Sequence, residues 1–331
     1  MKATYEKYRL QFRETAITSR ASMTYKDTYI IRLEDEDGRV GVGEAGLFAG
    51  LSSDDVPGYE DRLSEALLNP TAPGDLNDFP SIRIGLEMAL ANLRHGGNLY
   101  FPSAFTGGET EIKINGLIWM GTREKMLERI GQKLDAGFRC IKIKIGGIDF
   151  EYELSLLRFI RKRFPADELE LRLDANGSFT PENALDRLHQ LSHYHIHSIE
   201  QPIKAGKWTE MSRIVQESPI RIALDEELIG VNDSRAKEQL LDEIRPDYII
   251  LKPTLHGGFS GAEEWTKLAR RRGISWWITS ALESNIGLNA IAQWTALFNP
   301  AMPQGLGTGG LYTNNFPSPL HQERDYLRFN V

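Results

Sequence analysis

The sequence predicts an α/β protein, a (β/α)-barrel preceded by a smaller α+β domain. From about Glu111 onward, short apolar strands alternate with longer amphipathic helices. This alternation is typical of a parallel sheet covered by helices. Seven or eight such units, about 25 to 30 residues apart, fit a closed barrel better than an open sheet. An open dinucleotide-binding sheet is the competing fold, but no G-x-G-x-x-G motif follows the first strand of either region.

The domain boundaries follow from the same change in pattern. We expect residues 1–105 to form the α+β domain and residues 106–310 the barrel, with the segment from about 311 to 331 returning to the first domain. A segment rich in Pro, Gly and Ser at residues 101–108 is the expected linker between them.

Within the first domain, two strands flank a turn and a helix follows. Residues 28–34 and 39–44 read as strands around Asp35–Gly38, and an Asp-Gly step is a common hairpin turn. Pro80 begins a helical pattern with apolar residues at spacings of three and four, and Gly96 ends it.

In the second region the pattern predicts seven strands separated by helices. The strands are Ile112–Asn115, Cys140–Ile145, Leu169–Asp174, Ser198–Glu200, Ile220–Asp225, Tyr248–Lys252 and Ser275–Thr279. Helices include Arg123–Ala136, Tyr152–Phe164, Pro181–Leu191 and Ala262–Arg272.

Composition excludes several classes of protein and partner. The 331 residues include 41% hydrophobic and 26% charged residues, typical of a globular protein. A net charge of −7 argues against nucleic acid as a partner, and one cysteine excludes a disulfide scaffold.

Residues 284–322 carry no Asp, Glu, Lys or Arg, but their Asn, Gln and Pro residues favour a buried helix and a glycine-rich segment over a membrane span. With no apolar leader visible, we expect a cytoplasmic protein. The oligomeric state stays open.

Three carboxylates occupy the ends of three consecutive predicted strands. Asp174, Glu200 and Asp225 are spaced by 26 and 25 residues, one strand–helix unit each time. Acidic residues at strand ends are often helix caps or solvated loop residues, yet a regular set of three indicates a shared site. Because close carboxylates repel one another, we expect a cation between them. Oxygen ligands favour Mg²⁺, with Mn²⁺ as the second choice.

Lysines on the second and sixth strands bracket these acids. Lys142 and Lys144 are two residues apart and point to the same side of a strand, whereas Lys252 ends the sixth strand. In an eight-stranded barrel the second and sixth strands lie opposite each other. We therefore expect two lysines to face each other across the cation, with pKa values lowered by the neighbouring positive charges. Lys142 has an alternative role as an ion-paired or snorkelling residue. A Schiff-base lysine would leave the acids unexplained.

As a set, these residues resemble the enolase superfamily across nearly the whole chain. The matching motifs are Lys142-Ile-Lys144, Asp174-Ala-Asn176, Glu200-Gln-Pro202, Asp225-Glu-Glu227 and Lys252-Pro253, in that order. Gly43-Glu44-Ala45 and the helix at residues 83–90 resemble the N-terminal capping domain of that superfamily. The resemblance implies a modified TIM barrel with an α+β capping domain, and a lysine base that works with Mg²⁺ on a small carboxylate substrate.

The segments at residues 251–258 and 280–288 resemble a dehydratase branch of the superfamily. This resemblance implies a carbon–oxygen lyase that removes water in a syn elimination through an enediolate and forms an aromatic ring. Lys144 would take the proton, and Asp174, Glu200 and Asp225 would hold the metal.

The same resemblance implies further roles around the substrate. Lys252 would stabilise the anion from the opposite face, Ser280 would meet an acyl arm of the substrate, and Asn176 would support the site. Lys142 belongs to the same supporting group. The segment between Phe12 and Thr28 would form a loop that closes over the substrate.

Two other functions remain open from the residues. An N-acylamino-acid racemase or dipeptide epimerase would use the same two lysines, because its first proton abstraction is the same. A barrel that only binds a metal is the other alternative, since a fold by itself implies no function.

Overall fold

The computed structural model describes residues 1–17, 22–119 and 121–330. The chain begins with an antiparallel sheet of β1 (Lys2–Ile17), β2 (Ser22–Glu34) and β3 (Val40–Ala45), in that order. Two helices follow, α1 (Tyr59–Leu68) and α2 (Pro80–His95). The predicted hairpin and the predicted helix beginning at Pro80 are confirmed.

Helix α2 lies directly on β3 because glycines remove the side chains between them. A Cβ atom on Gly41 would lie 2.1 Å from the Ala89 carbonyl oxygen, and one on Gly43 would lie 2.0 Å from the Gly85 carbonyl oxygen. No larger residue fits at either position without moving the backbone of α2. The sheet thereby packs closely on one face of the helix.

The second region is a curled parallel sheet with helices outside it. After β4 (Ile112–Lys113), its strands are β5 (Gly116–Ile118), β6 (Cys140–Lys144), β7 (Glu170–Asp174), β8 (Ser198–Glu200), β9 (Arg221–Leu224), β10 (Tyr248–Leu251) and β11 (Ser275–Ile278), hydrogen-bonded in sequence order. The helices are α3 (Arg123–Asp135), α4 (Phe150–Arg163), α5 (Ala184–Ser192), α6 (Trp208–Glu217), α7 (Ser234–Ile244), α8 (Gly258–Arg271) and α9 (Asn285–Ala296).

A short extended segment closes this sheet into a barrel. Gln304 bridges Ile114 and Gly305 bridges Thr279, both in parallel orientation. The segment thus takes the position of an eighth strand between β11 and the beginning of the sheet. The predicted (β/α)-barrel is confirmed, as is the buried helix in the charge-free stretch, which is α9. No helix in the described residues is long and apolar enough to cross a membrane.

Only the end of the first predicted barrel strand pairs within the barrel. Ile112–Asn115 was expected to begin the barrel, but β4 pairs with β13 (Tyr326–Phe329), which pairs with β12 (Leu320–Glu323) in a separate sheet. Strand β5 of the barrel begins at Gly116, two residues after Ile114, which bridges the closing segment at Gln304. Buried residues occur in both β4 and β5. The apolar pattern therefore does not show where the chain passes from one sheet to the other.

The predicted loop between Phe12 and Thr28 is also different. Residues 12–17 and 22–28 belong to β1 and β2, which pair in an antiparallel hairpin with a register shift between Gln11 and Ala16. Residues 18–21 lie outside the described residues. The loop was expected only from the resemblance to the superfamily, whereas the described residues here are paired as strands and are largely exposed.

The C-terminal segment contacts both regions. The Thr313 amide donates to the Gln11 carbonyl at 2.9 Å, and the Arg13 amide donates to the Leu311 carbonyl at 2.8 Å. In contrast, β12 and β13 join β4 beside the barrel. The expected return of residues 311–331 and the boundaries at 105 and 310 stay predictions.

Two carboxylates of the first region bind the N-termini of barrel helices. Buried Glu44 accepts hydrogen bonds from the Ser284 and Gly287 amides at the beginning of α9. Glu87 accepts from the Phe259 amide at 2.6 Å and from the Ser260 hydroxyl at 2.5 Å, at the beginning of α8. A helix N-terminus favours a negative charge because its first N–H groups are unpaired and its dipole is positive there. These contacts hold the first region over the C-terminal ends of the barrel strands.

Candidate active site

The candidate site lies at the C-terminal ends of β6 to β10. Lys144, Asp174 and Glu200 are in register across three neighbouring strands, Lys144 opposite Asp174 and Asp174 opposite Glu200. Asp225 and Lys252 directly follow β9 and β10. Because residues in register on adjacent strands point to the same face, the predicted carboxylates and lysines come together inside the barrel mouth.

Lys142 and Lys144 both contact the carboxylates. The Lys142 Nζ lies 2.8 Å from Glu200 Oε2 and 3.2 Å from Asp174 Oδ2. The Lys144 Nζ donates to Asp174 Oδ2 at 2.9 Å and to Asn176 Oδ1 at 2.8 Å. Lys142 is therefore the buried, ion-paired residue that its alternative interpretation described, whereas Lys144 lies nearer the mouth and also borders the ring of Trp119, 5.9 Å from the ring centre.

Lys252 approaches from the other side of the site. Its Nζ donates to both oxygens of Asp225, at 2.7 and 2.5 Å. Its backbone amide donates to Nδ1 of His256 at 3.0 Å, which ties the strand end to the turn behind it. Burial lowers the pKa of His256 to about 3, so the imidazole is neutral and its Nδ1 can accept this bond.

Charges inside the mouth shift the pKa values of several groups. Burial alone would raise the pKa of Asp174, but the ammonium groups of Lys144 and Lys142 outweigh burial and hold it well below its ordinary value. Burial raises the pKa of Glu200 to about 7, and Asp174 and Asp225 contribute in the same direction against the opposing effect of Lys142. The negative charge of Glu200 is thus less well compensated than that of Asp174.

In this arrangement the pKa values of Lys142 and Lys252 are raised, and the expected lowering beside a bound cation stays a prediction. Burial by itself would lower the pKa values of both lysines. Glu200 and Asp174 outweigh this effect at Lys142, and Asp225 outweighs it at Lys252, so both pKa values rise. The nearest charges to each ammonium are carboxylates, which favour the charged form of the lysine.

The carboxylates suit a hard cation in their chemistry, although they are paired with lysines here. In the part of the chain that the structure describes, no three His, Cys, Asp or Glu side chains are grouped closely enough to hold a metal ion. Lys142 lies between Asp174 and Glu200, and Lys252 contacts both oxygens of Asp225. However, the buried Oε1 of Glu200 has no hydrogen-bond partner among the described residues. An all-oxygen set with one unpaired carboxylate oxygen fits Mg²⁺ or Mn²⁺.

A cavity of about 680 Å³ connects these side chains with the first region. Lys142, Lys144, Asp174 and Lys252 line its barrel side. Residues of β2 and of the segment at 47–51 line the opposite side. The cavity is large enough for a small-molecule substrate, since ligand pockets typically span about 300–1,000 Å³.

Ser280 and Asn176 occupy different positions relative to this cavity. Ser280 is 4% exposed, and its hydroxyl pairs with the Thr308 hydroxyl at 2.8 Å and accepts from the Leu282 amide. Its contacts hold the 280–283 loop at the cavity wall. Asn176 lies beside Lys144 and donates from Nδ2 to Glu226 Oε1 at 2.9 Å, so it links the Lys144 side of the mouth to the segment after β9.

Glu226 and Lys26 are two charged residues of the cavity that were not predicted as site residues. Glu226 was noted only as part of the Asp225-Glu-Glu227 motif, yet it contacts Asn176 and lines the cavity. Lys26 lies on β2, outside the barrel, and its side chain is 5% exposed. A lysine two residues before Thr28 and four before Ile30 shares their strand face, and that placement among apolar residues was the available signal.

Comparisons with known proteins define the class. Residues 125–328 match the family described as Enolase C-terminal domain-like. The crystal structure of a dipeptide epimerase from Enterococcus faecalis V583, complexed with Mg and the dipeptide L-Leu-L-Tyr, has a TM-score of 0.82. It is 21% identical and covers 99% of this chain and 96% of its own, which shows a shared fold. The chain belongs to the enolase superfamily.

Two further comparisons narrow the assignment. The o-succinylbenzoate synthase of Desulfotalea psychrophila (strain LSv54 / DSM 12343) is 48% identical over 97% of this chain and 96% of its own length. The crystal structure of MenC from Desulfotalea psychrophila LSv54 has a TM-score of 0.87 with 45% identity and covers 99% of both chains. Within the superfamily, the chain therefore belongs to the o-succinylbenzoate synthase family and is a hydro-lyase. The predicted superfamily, fold class and dehydratase branch are confirmed.

Proposed function

We propose that this protein dehydrates 2-succinyl-6-hydroxy-2,4-cyclohexadiene-1-carboxylate to o-succinylbenzoate, a step of menaquinone biosynthesis. The observation that carries the proposal is one cavity lined by Lys144 and Lys252 beside the carboxylates of three consecutive strands, in a chain 48% identical to an o-succinylbenzoate synthase. The reaction needs a base for a carbon acid and stabilisation of the resulting anion. We place the reaction in the cytoplasm.

Asp174, Glu200 and Asp225 would hold a divalent cation, Mg²⁺ first and Mn²⁺ second. When bound, Mg²⁺ supplies positive charge for the substrate carboxylate as it takes on enediolate character. The protein's contribution is to hold these carboxylates in a buried mouth, where electrostatic interactions are stronger than in water.

Lys144 is the proposed base. Its amine takes the proton from ring carbon 1, next to the carboxylate, and the electron pair of the C–H bond moves into the enediolate. The same ammonium then gives its proton to the hydroxyl on ring carbon 6. As that C–O bond breaks, water leaves, the ring becomes aromatic and Lys144 is again an amine. Asp174 and Asn176 hold the Nζ in place through hydrogen bonds of 2.9 and 2.8 Å.

Lys252 faces the other side of the substrate. Held by both oxygens of Asp225, its ammonium would lie near the ring and stabilise the anion through charge and cation–π attraction. In an epimerase the corresponding lysine would have to deliver a proton. The likeness to the epimerase structure, at 21% identity, extends to the fold alone, so identity favours the dehydratase.

The test follows the product and hydrogen exchange together. With Mg²⁺, the purified protein should convert the cyclohexadiene substrate to the aromatic product, detected by its ultraviolet absorbance, and chelation with EDTA should stop the reaction. Lys144→Ala should lower kcat by about 10³-fold or more while Mg²⁺ binding persists. Lys267→Ala, which removes an exposed lysine paired with Glu263 on the same helix, should leave turnover unchanged.

Three outcomes would contradict the proposal. Normal turnover by Lys144→Ala would remove Lys144 from the chemistry. Rapid exchange of the α-hydrogen of an N-succinyl amino acid in D₂O, with little dehydration, would indicate a racemase that uses the same residues. Absence of both reactions with Mg²⁺ bound would indicate a barrel that only binds metal.

A further inference from the structure

The cavity contains a buried cation that the proposed chemistry does not use. The lysines that line it in the described residues are Lys7, Lys26, Lys142, Lys144 and Lys252. The last three form ion pairs with Asp174, Glu200 or Asp225 at the barrel side. Lys7 is half-exposed and paired with Glu60 at 2.8 Å. Lys26 differs from all of these.

Lys26 is nearly enclosed but has little compensation for its charge. It is 5% exposed, and its Nζ donates one hydrogen bond, to the Gly46 carbonyl at 3.2 Å. Within the described residues, no carboxylate oxygen lies within 4.0 Å of the Lys26 Nζ, so Lys26 forms no ion pair there. An ammonium has three donors, so two of the Lys26 donors have no acceptor among the described residues. A buried charge without a partner is costly.

Lys26 lies on the side of the cavity that β2 forms, opposite the barrel side. Lys26 and Thr28 share one face of β2, and Thr28 donates to Glu44, the residue that caps α9. This face therefore points toward the barrel. A Cβ atom on Gly46 would lie 3.7 Å from the Lys26 Nζ and 3.4 Å from Cγ of Glu283. Lys26 thus lies close to the 280–283 loop, and it has no ion pair with Asp174 or Glu200, unlike Lys142.

Burial lowers the pKa of Lys26, and the more distant carboxylates of Glu44 and Glu283 offset only part of that effect. A bound anion would supply the missing counter-charge.

The proposed substrate carries two carboxylates, one on the ring beside the proton that is removed and one at the end of the succinyl arm. The first belongs with the cation site and Lys144. The second would enter the same cavity and needs a partner of its own, because an unpaired carboxylate loses its hydration there.

We propose that Lys26 binds the terminal carboxylate of the succinyl arm and selects dicarboxylate over monocarboxylate substrates. This inference rests on the proposed function. It makes Lys26 a specificity-determining residue supplied by the N-terminal region, whereas the reacting groups come from the barrel. Closure of the cavity by β2 would then be coupled to recognition of the correct substrate.

The test compares ligands that differ only in the terminal carboxylate. o-Succinylbenzoate carries it, and 2-butanoylbenzoate has a methyl group in its place. With Mg²⁺ present, calorimetry should show the wild-type protein binding o-succinylbenzoate more tightly by roughly 10- to 100-fold, the range expected for a hydrogen bond between charged groups. Lys26→Met should lose this preference while binding 2-butanoylbenzoate within about threefold of wild type, as expected for a loss of charge alone. The second result also shows that the variant is folded.

Lys7→Met is the matched control, since Lys7 lines the same cavity from β1 but already has Glu60 as its partner. It should retain the wild-type preference. Equal loss of affinity for both ligands in Lys26→Met would mean that Lys26 is structural, and equal binding of both ligands by the wild-type protein would overturn the inference without any variant. If Lys26→Met does not fold, Lys26→Gln takes its place. Failure of the wild-type protein to dehydrate its substrate would count against the proposed function, whereas the binding comparison addresses Lys26 separately.

Discussion

Replacing Glu44 by alanine tests whether one buried carboxylate joins the N-terminal region to the barrel. Glu44 is fully buried and accepts from the amides of Ser284 and Gly287, 240 and 243 residues further along the chain. It also accepts from the hydroxyls of Ser284 and Thr28, at 2.5 and 2.7 Å. Alanine would remove all of these acceptors together.

The expected loss of stability follows from these contacts. The two hydroxyls can rotate toward other acceptors, and Thr28 already lies 3.4 Å from the Ala45 carbonyl. The two amides in the first turn of α9 cannot move. Each buried N–H left without a partner costs about 1–3 kcal/mol, and the lost attraction to the helix N-terminus adds about 0.3–1 kcal/mol. We expect Glu44→Ala to lower the free energy of unfolding by about 3–5 kcal/mol.

Urea unfolding followed by tryptophan fluorescence and circular dichroism measures this change. Glu44→Gln keeps one acceptor oxygen and should lose about half as much. The control is Glu263→Ala, which removes an exposed pair with Lys267 and should change stability by less than about 0.5 kcal/mol. If Glu44→Ala unfolds within 1 kcal/mol of the wild-type protein, on the scale of an ordinary single hydrogen bond, the carboxylate does not hold the two regions together.

Three further predictions address packing, pH and the site. Gly43→Ala places a Cβ 2.0 Å from the Gly85 carbonyl oxygen and should lower the free energy of unfolding by about 3 kcal/mol or more, measured by thermal or urea unfolding. Gly131→Ala, with open space around its Cβ in α3, should be neutral or stabilising. Equal effects of the two substitutions would contradict the packing argument. Burial raises the pKa of Asp54 from 3.8 to about 6. Its folded form therefore binds a proton more readily than its unfolded form, and its contribution to stability is full below about pH 4 and is lost as the pH rises through 6. Asp54→Asn should accordingly gain up to about 3 kcal/mol relative to wild type between pH 4 and pH 7, and parallel stability curves in urea would refute this. Asn176→Gly, which suits the positive φ of 44° at this position, removes the side chain that holds Lys144. It should lower kcat by about 10- to 100-fold with KM nearly unchanged, and a change in KM alone would indicate a binding role instead.

The barrel and the reacting groups were accessible from sequence because their signals are local. Each strand–helix unit repeats its pattern of apolar residues, and the carboxyl ends of parallel strands must meet at one end of the sheet. Asp174, Glu200 and Asp225 could therefore be grouped without a structure. So could Lys144 and Lys252, because strand order in a barrel follows chain order. Their catalytic and metal-binding roles stay predictions.

Electrostatic balance within the site was not accessible in the same way. The direction of the pKa change at Lys142 and Lys252 depends on which charged atom is nearest, and distances of 2.5 to 3.2 Å are set by side-chain packing. The sequence placed cations and carboxylates in one mouth but not in particular pairs. Coulomb energies vary steeply at these distances, so composition alone could not give the sign.

The amino-acid sequence by itself determined that this protein is a (β/α)-barrel with acids and lysines at its strand ends, because repeated periodicity and strand order act within each unit. Tertiary structure alone decided where β4 leaves the barrel, how Glu44 reaches α9, and that Lys26 enters the cavity. These features join residues far apart in the chain through contacts between separate sheets and helices. No local pattern records which face of one element lies against another, since that is decided by the packing of the whole molecule.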